Sequence, residues 1–219
     1  GKLFYASCCT GPYITAAVSH LRRFMSKPLK MHWEMAKRVL RYLKGTADHG
    51  LVFSGVAPLE PVFWQDASYA DDEDRRSRTG YVAVMGGAAV SWGSKRQQTV
   101  ALSTVEAEYM ALCAATCEAV FLRSLLSELG HKQAGPTVMQ EDNQGCIALS
   151  KSRMTTGRSK HIDVRYHFCR EKMESGEIEV TYCPSHLQLA DILTKALPTA
   201  QHRTLARKVM GMKAEESST

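Results

Sequence analysis

The sequence predicts an α/β fold, a β-sheet with helices on its faces whose first three strands form a meander. One observation is the order of predicted elements after the basic N-terminal part: three strands, a helix, a strand, helices, a strand and a helix. Another is composition, because 44% of the 219 residues are hydrophobic, which supports a packed core and excludes a wholly disordered chain. No run of about 18 apolar residues and no secretory signal is present, so no membrane-spanning helix is expected.

Residues 1–56 are predicted to form a basic helical arm. Eight Lys and Arg residues between positions 20 and 49 are opposed only by Glu34 and Asp48, so this segment carries +6 and the rest of the chain is neutral. Helical spacing predicts helices over residues 12–25 and 30–44, separated by Pro28. A basic helix face is either merely solvated or attracts a polyphosphate backbone, and composition leaves both open. The basic residues of the second helix are Lys37, Arg38, Arg41 and Lys44.

A domain is predicted over residues 57–199, followed by a C-terminal helix and frayed tail over residues 200–219. Gly and Pro punctuation, apolar alternation and helical spacing define its elements. The predicted strands are residues 62–66, 81–85, 88–92, 136–141 and 177–183, with residues 99–102 continuing the third strand. The predicted helices are residues 103–129, 143–150, 161–174 and 187–197.

Four acidic residues stand at the ends of strands or the starts of helices. Asp66 ends the first strand, Asp142 ends the fourth, and Glu108 and Asp191 lie in the first turns of helices. If the first and fourth strands are neighbours, Asp66 and Asp142 lie side by side, and a divalent cation relieves their repulsion. Oxygen ligands without a Cys/His cluster suit Mg²⁺ or Mn²⁺ rather than Zn²⁺. Helix capping is the alternative explanation for acids at such places.

Ordered blocks over nearly the whole chain resemble the ribonuclease H domain of copia-type retrotransposon polyproteins. The blocks are residues 65–71 (QDASYAD), 90–97 (VSWGSKRQ), 101–112 (ALSTVEAEYMAL), 141–144 (EDNQ), 159–167 (SKHIDVRYH) and 189–195 (LADILTK). Upstream, residues 32–34 (HWE) and 37–46 (KRVLRYLKGT) resemble the segment that links polymerase to ribonuclease H in the same polyproteins.

The resemblance implies a five-stranded mixed sheet with an antiparallel second strand and helices around it. It implies hydrolysis of the RNA strand of an RNA–DNA hybrid by two metal ions, leaving a 5′-phosphate and a 3′-hydroxyl. Mg²⁺ is the implied cofactor, with Mn²⁺ as a substitute. The implied ligands are Asp66, Glu108, Asp142 and Asp191. Glu106 is the rival of Glu108, and we expect it instead to interact with the helix N-terminus.

Other residues are implied to contact the substrate or to handle protons. His186 lies in a loop five residues before Asp191, where the family often places a proton-handling histidine, and an ordinary loop histidine is the alternative. Contacts to the nucleic acid are implied for Ser68, Arg75 and Asn143. A polar cluster of undetermined role contains Lys160, His161, Asp163, Arg165 and His167.

The implied partners are the RNA–DNA hybrid and the polymerase domain of the same polyprotein, and no membrane. The implied compartment is the cytoplasm, in a virus-like particle, and also the nucleus. Two alternatives remain: a related nuclease of integrase type, and a degenerate or domesticated copy that binds hybrid or protein without cutting. Gly11 and Tyr13 replace the charged residues usual in the linking segment and favour the latter, whereas the intact acids oppose it.

Overall fold

The centre of the protein is a five-stranded mixed sheet, in a computed structural model that describes residues 1–71, 74–152 and 160–213, with only the backbone for 160–164. The strands are β1 (Val62–Ser68), β2 (Arg78–Met85), β3 (Ala88–Arg96), β4 (Thr137–Glu141) and β5 (Ile178–Tyr182). Their spatial order is β3-β2-β1-β4-β5. Strand β2 is antiparallel to β1 and β3, whereas β1, β4 and β5 are parallel. The predicted α/β class, the meander and the antiparallel second strand are therefore confirmed.

Helices cover both faces of this sheet. They are α1 (Lys2–Cys9), α2 (Thr15–Arg22), α3 (Lys30–Gly45), α4 (Thr104–Glu128), α5 (Gln144–Lys151), α6 (Lys160–Glu174), α7 (Asp191–Thr194) and α8 (Thr199–Met210). On one face, α4, α5 and α6 pack over Phe63 and Met139. On the other face, Val82 of β2 shares an apolar cluster with Val39 of α3 and Val209 of α8. The N-terminal helices thus join the core of the sheet, and the division into arm, domain and C-terminal segment stays a prediction.

Helix α4 begins with a reciprocal pair of capping hydrogen bonds. The Ser103 hydroxyl accepts from the backbone N–H of Glu106 (3.1 Å), and the Glu106 carboxylate accepts from the backbone N–H of Leu102 (2.8 Å). By length and composition α4 could cross a membrane, with a mean hydropathy of 1.4 in its most apolar window, but 44% of that window is buried inside the protein. Because α4 packs on β1 and β2, we assign it as the core helix of this domain.

Two elements of the domain differ from the sequence prediction. Residues 99–102 do not continue the third strand, because the Gln97 side-chain amide donates to Thr79 Oγ1 (3.1 Å) and to the carbonyl of Ala107 (2.9 Å), turning the chain toward α4. Residues 187–197 do not form one helix. A 3₁₀ turn over Ser185–Leu187 precedes the single turn of α7, and β-like backbone at Lys195 ends that turn.

The N-terminal segment also differs from its predicted form. Helix α1 was not predicted, and the helix predicted over residues 12–25 is a 3₁₀ turn over Pro12–Ile14 followed by α2. The unusual Gly11 and Tyr13 are both packed into the fold. A Cβ at Gly11 would lie 3.2 Å from the Ala6 carbonyl oxygen, and the buried ring of Tyr13 packs on that of Tyr42 at 5.7 Å. These two substitutions are therefore accommodated by local packing.

Gly80 of β2 allows α7 to lie directly on the sheet. A Cβ at this position would stand 2.5 Å from Thr194 Cγ2 and 2.9 Å from Leu193 Cβ. We expect Gly80→Ala to lower the free energy of unfolding by about 1–3 kcal/mol, because α7 must move away from the sheet. Urea unfolding of this variant and of Gly135→Ala, whose added Cβ meets nothing within 4 Å, tests the effect. Equal losses in the two variants would contradict the close approach.

Candidate metal centre

Three of the predicted acids converge at the carboxyl edge of the sheet. Carboxylate oxygens of Asp66, Glu108 and Asp142 all lie within 4.8 Å of one another. Strands β1 and β4 are parallel neighbours paired up to Trp64 and Gln140, so Asp66 and Asp142 emerge at the same edge. Helix α4 crosses this edge and adds Glu108 from its second turn. Segments distant in sequence therefore form one cluster of oxygen donors.

The fourth acid, Asp191, is joined to this cluster through Lys195. The Lys195 Nζ atom lies 3.0 Å from Asp66 Oδ1 and 2.7 Å from Asp191 Oδ1. The hydroxyl of Thr194 donates a short hydrogen bond to Asp66 Oδ2. The side chains of Asp66 and Asp191 are only 1% and 7% exposed, so both carboxylates are held away from bulk water. Helix α7 thus places a hydroxyl, an ammonium and a carboxylate beside the end of β1.

Burial gives these carboxylates an unusual affinity for protons. It is the main reason that the pKa of Glu108 rises from 4.5 to about 10, with repulsion from the neighbouring carboxylates adding to the effect. The pKa values of Asp66 and Asp191 are also raised by burial, although Lys195 opposes both shifts. Glu108 therefore keeps its proton near neutral pH unless a positive charge compensates for its loss.

The residues present suit a hard divalent cation. Glu108 is 7% exposed, and its Oε2 atom is buried without a hydrogen-bond partner in the described chain. A buried carboxylate oxygen without a hydrogen-bond partner, on a residue beside two further carboxylates, is a donor that a bound cation would satisfy. Oxygens around one Mg²⁺ lie roughly 3–4 Å apart, since each Mg–O bond is about 2.0–2.1 Å, so small side-chain movements would close this cluster. The cluster fits Mg²⁺ or Mn²⁺, and the ligand assignments remain predictions.

Glu141 is a buried acid that the sequence reasoning missed. It is fully buried behind the cluster, and burial raises its pKa to about 8. Its Oε1 accepts from the backbone N–H of Asn143 (3.0 Å), and its Oε2 accepts from the Gln65 side chain (3.4 Å). Strand alternation could have revealed it, because the residue before Asp142 points to the opposite face. Glu141 holds the turn that carries Asp142.

Gln188 is a second residue missed from the sequence, and it joins the two strands that carry Asp66 and Asp142. Its side-chain amide donates to the carbonyls of Gln65 (3.0 Å) and Gln140 (3.5 Å), and its Oε1 accepts from the backbone N–H of Ala190 (3.2 Å). The β1–β4 pairing ends at this level, so the carbonyls would otherwise be left without ladder partners. No sequence signal distinguishes this glutamine from a loop residue.

We expect Gln188→Leu to lower the free energy of unfolding by about 1–3 kcal/mol, because buried carbonyls lose their donor. The strands that carry the acids should also separate, so Mg²⁺ should stabilise this variant less than it stabilises the parent protein. Thermal unfolding with and without Mg²⁺ measures both effects. Unchanged stabilisation by Mg²⁺ would show that Gln188 supports the fold and not the spacing of the acids.

The remaining predicted site residues lie around the cluster or away from it. His186 is exposed on the 3₁₀ turn before α7. The Asn143 side chain caps α5 by accepting from the backbone N–H of Cys146 (2.9 Å). Ser68 is half-buried at the end of β1, and exposed Arg75 has a positive φ of 60° in the β1–β2 turn. His167 is exposed on α6, whereas the side chains of Lys160, His161 and Asp163 lie outside the described part.

The basic residues predicted on the arm lie along α3. Arg38, Arg41 and Lys44 are exposed, and Lys37 lies 2.7 Å from the Glu34 carboxylate. Helix α3 packs on α2, which in turn contacts α7. The basic helix is therefore connected to the acid cluster through α2, and it contributes no residue to that cluster.

Comparisons with solved structures identify ribonuclease H domains, at low similarity. LC11-RNase H1, isolated from compost, is 15% identical with a TM-score of 0.47, covering 62% of this chain and 93% of its own. The N-terminal RNase H domain of Rv2228c from Mycobacterium tuberculosis is 13% identical with a TM-score of 0.44, covering 68% of this chain and 97% of its own. No protein-family model matches the chain.

Comparisons with curated proteins give much higher identity. The Retrovirus-related Pol polyprotein from transposon TNT 1-94 of Nicotiana tabacum is 41% identical over 212 residues, 97% of this chain and 16% of that protein. The one from transposon RE2 of Arabidopsis thaliana is 38% identical over 218 residues, 99% of this chain and 15% of that protein. Secreted RxLR effector protein 161 of Plasmopara viticola is 48% identical over 123 residues, 56% of this chain and 87% of that protein.

The chain therefore spans about a sixth of the plant transposon proteins that it matches almost from end to end. Over almost its whole length it is homologous to a segment of the retrovirus-related Pol polyproteins of plant copia-type transposons.

Proposed function

We propose that the chain is a metal-dependent ribonuclease H that hydrolyses the RNA strand of RNA–DNA hybrids during retrotransposon reverse transcription. The observation that carries this proposal is the convergence of carboxylate oxygens of Asp66, Glu108 and Asp142, together with a buried Glu108 oxygen that has no hydrogen-bond partner in the described chain. Asp191 stands beside Asp66 across Lys195. Similarity to a segment of the Pol polyproteins and the ribonuclease H-like sheet order support the same activity.

In this proposal Asp66, Glu108, Asp142 and Asp191 would hold two divalent ions. The ions, when bound, would activate water and stabilise the leaving oxygen of the phosphodiester. Thr194 would fix the rotamer of Asp66 by its hydrogen bond, and Glu141 and Gln188 would fix the spacing of β1 and β4. His186 would exchange protons with solvent from its exposed turn. The expected products carry a 5′-phosphate and a 3′-hydroxyl.

The test is an incubation of the protein with labelled RNA–DNA hybrid, duplex DNA and single-stranded RNA, each with Mg²⁺ or with EDTA. We expect cleavage of the hybrid RNA alone, only with Mg²⁺, and at a comparable level with Mn²⁺. Hybrid binding without cleavage would support the alternative of a catalytically silent copy. Cleavage of duplex DNA would support the integrase-like alternative.

A basic groove next to the N-terminal helices supports binding of a polyanion. It has a volume of about 710 Å³ and lies between α1 and α2 on one side and β3 and α4 on the other. Its basic lining residues are Arg22, Lys95, Arg96 and Arg165. Together with the exposed basic face of α3, this surface would hold the hybrid backbone, and we include Ser68, Arg75 and Asn143 as proposed backbone contacts.

Replacing Lys37, Arg38 and Arg41 with Ala should weaken hybrid binding and flatten its salt dependence. Each lost phosphate contact lowers the slope of log affinity against log salt by roughly 0.7–0.9, so the loss of three contacts should lower it by roughly two to three. Filter binding at several salt concentrations between about 50 and 200 mM gives the affinity for the hybrid, and hence the slope, for each protein. Lys132→Ala with Lys208→Ala, two exposed lysines outside α3, is the control. An unchanged slope would remove α3 from the binding surface.

The proposed protein partner is the polymerase domain of the same polyprotein, which the shared identity with longer Pol proteins supports. Large apolar side chains remain exposed near the α2–α3 connection, where such a partner could pack. They are Met25, Leu29, Met31 and Trp33, each more than half exposed.

We propose the cytoplasmic virus-like particle, and then the nucleus, as the place of action.

A further inference from the structure

Lys195 occupies a position that a cation would occupy. Its Nζ atom lies within 3.0 Å of one oxygen of Asp66 and one oxygen of Asp191. Both carboxylates are almost fully buried, whereas the Lys195 side chain is 40% exposed. A buried carboxylate pair without a positive partner is strongly unfavourable, so the ammonium stabilises this arrangement.

Asp66 therefore takes part in two groups of carboxylates, which differ in whether a basic side chain is present. On one side, Asp66, Glu108 and Asp142 bring oxygens within 4.8 Å of one another, and Glu108 has a buried oxygen without a partner. On the other side, Asp66 and Asp191 share the Lys195 ammonium. In the described chain no basic residue is ion-paired with Glu108 or Asp142, whereas Lys195 is ion-paired with both Asp66 and Asp191.

The local backbone fixes this ammonium in place. Lys195 directly follows the single turn of α7, and its backbone N–H donates to the carbonyl of Asp191 (3.0 Å). Because this i to i+4 hydrogen bond is helical, the side chains of Asp191 and Lys195 lie on the same side of the turn. The Thr194 hydroxyl meanwhile engages the second oxygen of Asp66. A divalent ion at this position would have to displace the ammonium from both carboxylates.

We propose that the Lys195 ammonium is the resident cation of the Asp66–Asp191 position and competes there with a second divalent ion. This inference rests on the metal-dependent function proposed above. The free protein then binds one divalent ion, at Asp66, Glu108 and Asp142. The second ion enters only at higher concentration, when it drives the ammonium out. Lys195 thereby sets the concentration at which the centre becomes doubly occupied.

The experiment is a titration of the full chain with Mn²⁺ alone, in which electron paramagnetic resonance measures the concentration of free Mn²⁺. We expect one Mn²⁺ per wild-type protein and two per Lys195→Met protein. Equivalently, the second ion should bind more tightly in the variant, on the order of tenfold or more, because a buried competing charge is gone. Lys195→Arg keeps the charge and should bind one ion, and Lys208→Met controls for the loss of one exposed lysine.

A second measurement remains informative if Lys195→Met fails to fold. In wild-type protein, the ¹⁵N resonance of the Lys195 ammonium should be visible without metal, since two carboxylates protect it from exchange. It should survive the first equivalent of Mg²⁺ and be lost as the second ion binds. Its loss with the first equivalent would overturn the proposal.

The outcomes separate this inference from the proposed function. Two tightly bound Mn²⁺ ions in wild-type protein would contradict the proposed role of Lys195. The same would follow if wild type and Lys195→Met each bound one Mn²⁺ with equal affinity. The metal-dependent function would survive either result. No Mn²⁺ binding in either protein would overturn both.

Discussion

Replacing Glu108 with Gln should abolish hybrid cleavage and, in the same protein, stabilise the metal-free fold at pH 8. A metal centre supplies several kcal/mol of transition-state stabilisation, so loss of a ligand should reduce cleavage roughly 1,000-fold or more. Stability changes in the opposite direction because the carboxyl group is buried among other carboxylates. Gln has nearly the same shape and cannot ionise.

The sign follows from the raised pKa of Glu108. The folded protein holds this proton up to about pH 10, whereas the unfolded chain releases it near pH 4.5. The stability that the protonated group contributes is complete below pH 4.5 and is lost progressively as the pH rises toward 10. At pH 8, which is 3.5 units above 4.5, the variant should be more stable by up to about 5 kcal/mol, since one pKa unit corresponds to about 1.4 kcal/mol.

Urea unfolding in EDTA at pH 4.5 and pH 8 measures this difference. The two proteins should be nearly equal at the lower pH and should diverge at the higher one. Adding Mg²⁺ at pH 8 should restore stability to the wild type and not to Glu108→Gln. Parallel pH profiles in EDTA would contradict a buried, proton-holding Glu108.

Replacing Asp142 with Asn should remove activity with little effect on the metal-free fold. Asp142 is only half-buried, and its role in the described structure is to add an oxygen to the cluster. Cleavage should again fall roughly 1,000-fold or more, by the same argument as for Glu108. The free energy of unfolding in EDTA should change by only about 0.5 kcal/mol, as is usual for partly exposed positions without special contacts.

The comparison of Asp142→Asn with Glu108→Gln distinguishes a ligand from a residue that merely destabilises the fold. Thermal unfolding with increasing Mg²⁺ should show a large upward shift for wild type and a much smaller shift for both variants. Asp66→Asn should likewise lose cleavage. Asp142→Asn protein that cleaves hybrid at the wild-type rate would remove this residue from the centre.

Several elements of the fold follow from local sequence patterns. The alternation in residues 177–183 predicted β5, and the helical stripe after Ser103 predicted α4, because side-chain periodicity is a property of the segment itself. The hairpin of β2 and β3 followed from Gly86-Gly87, both of which have positive φ. Elements whose form depends on distant contacts were missed, as in the break of residues 187–197 by the bonds of Gln188 to β1 and β4.

The sequence by itself predicted the chemical type of the candidate centre, since acids without a Cys/His cluster favour a hard divalent cation. It also indicated the family through ordered blocks that include Asp66, Glu108, Asp142 and Asp191. Only the tertiary structure decided which groups surround these acids. Gln188 and Lys195 carry no local signal, and strand alternation indicates only that Glu141 is buried. The contacts of all three residues join segments far apart along the chain and exist only once β1, β4 and α7 have packed together.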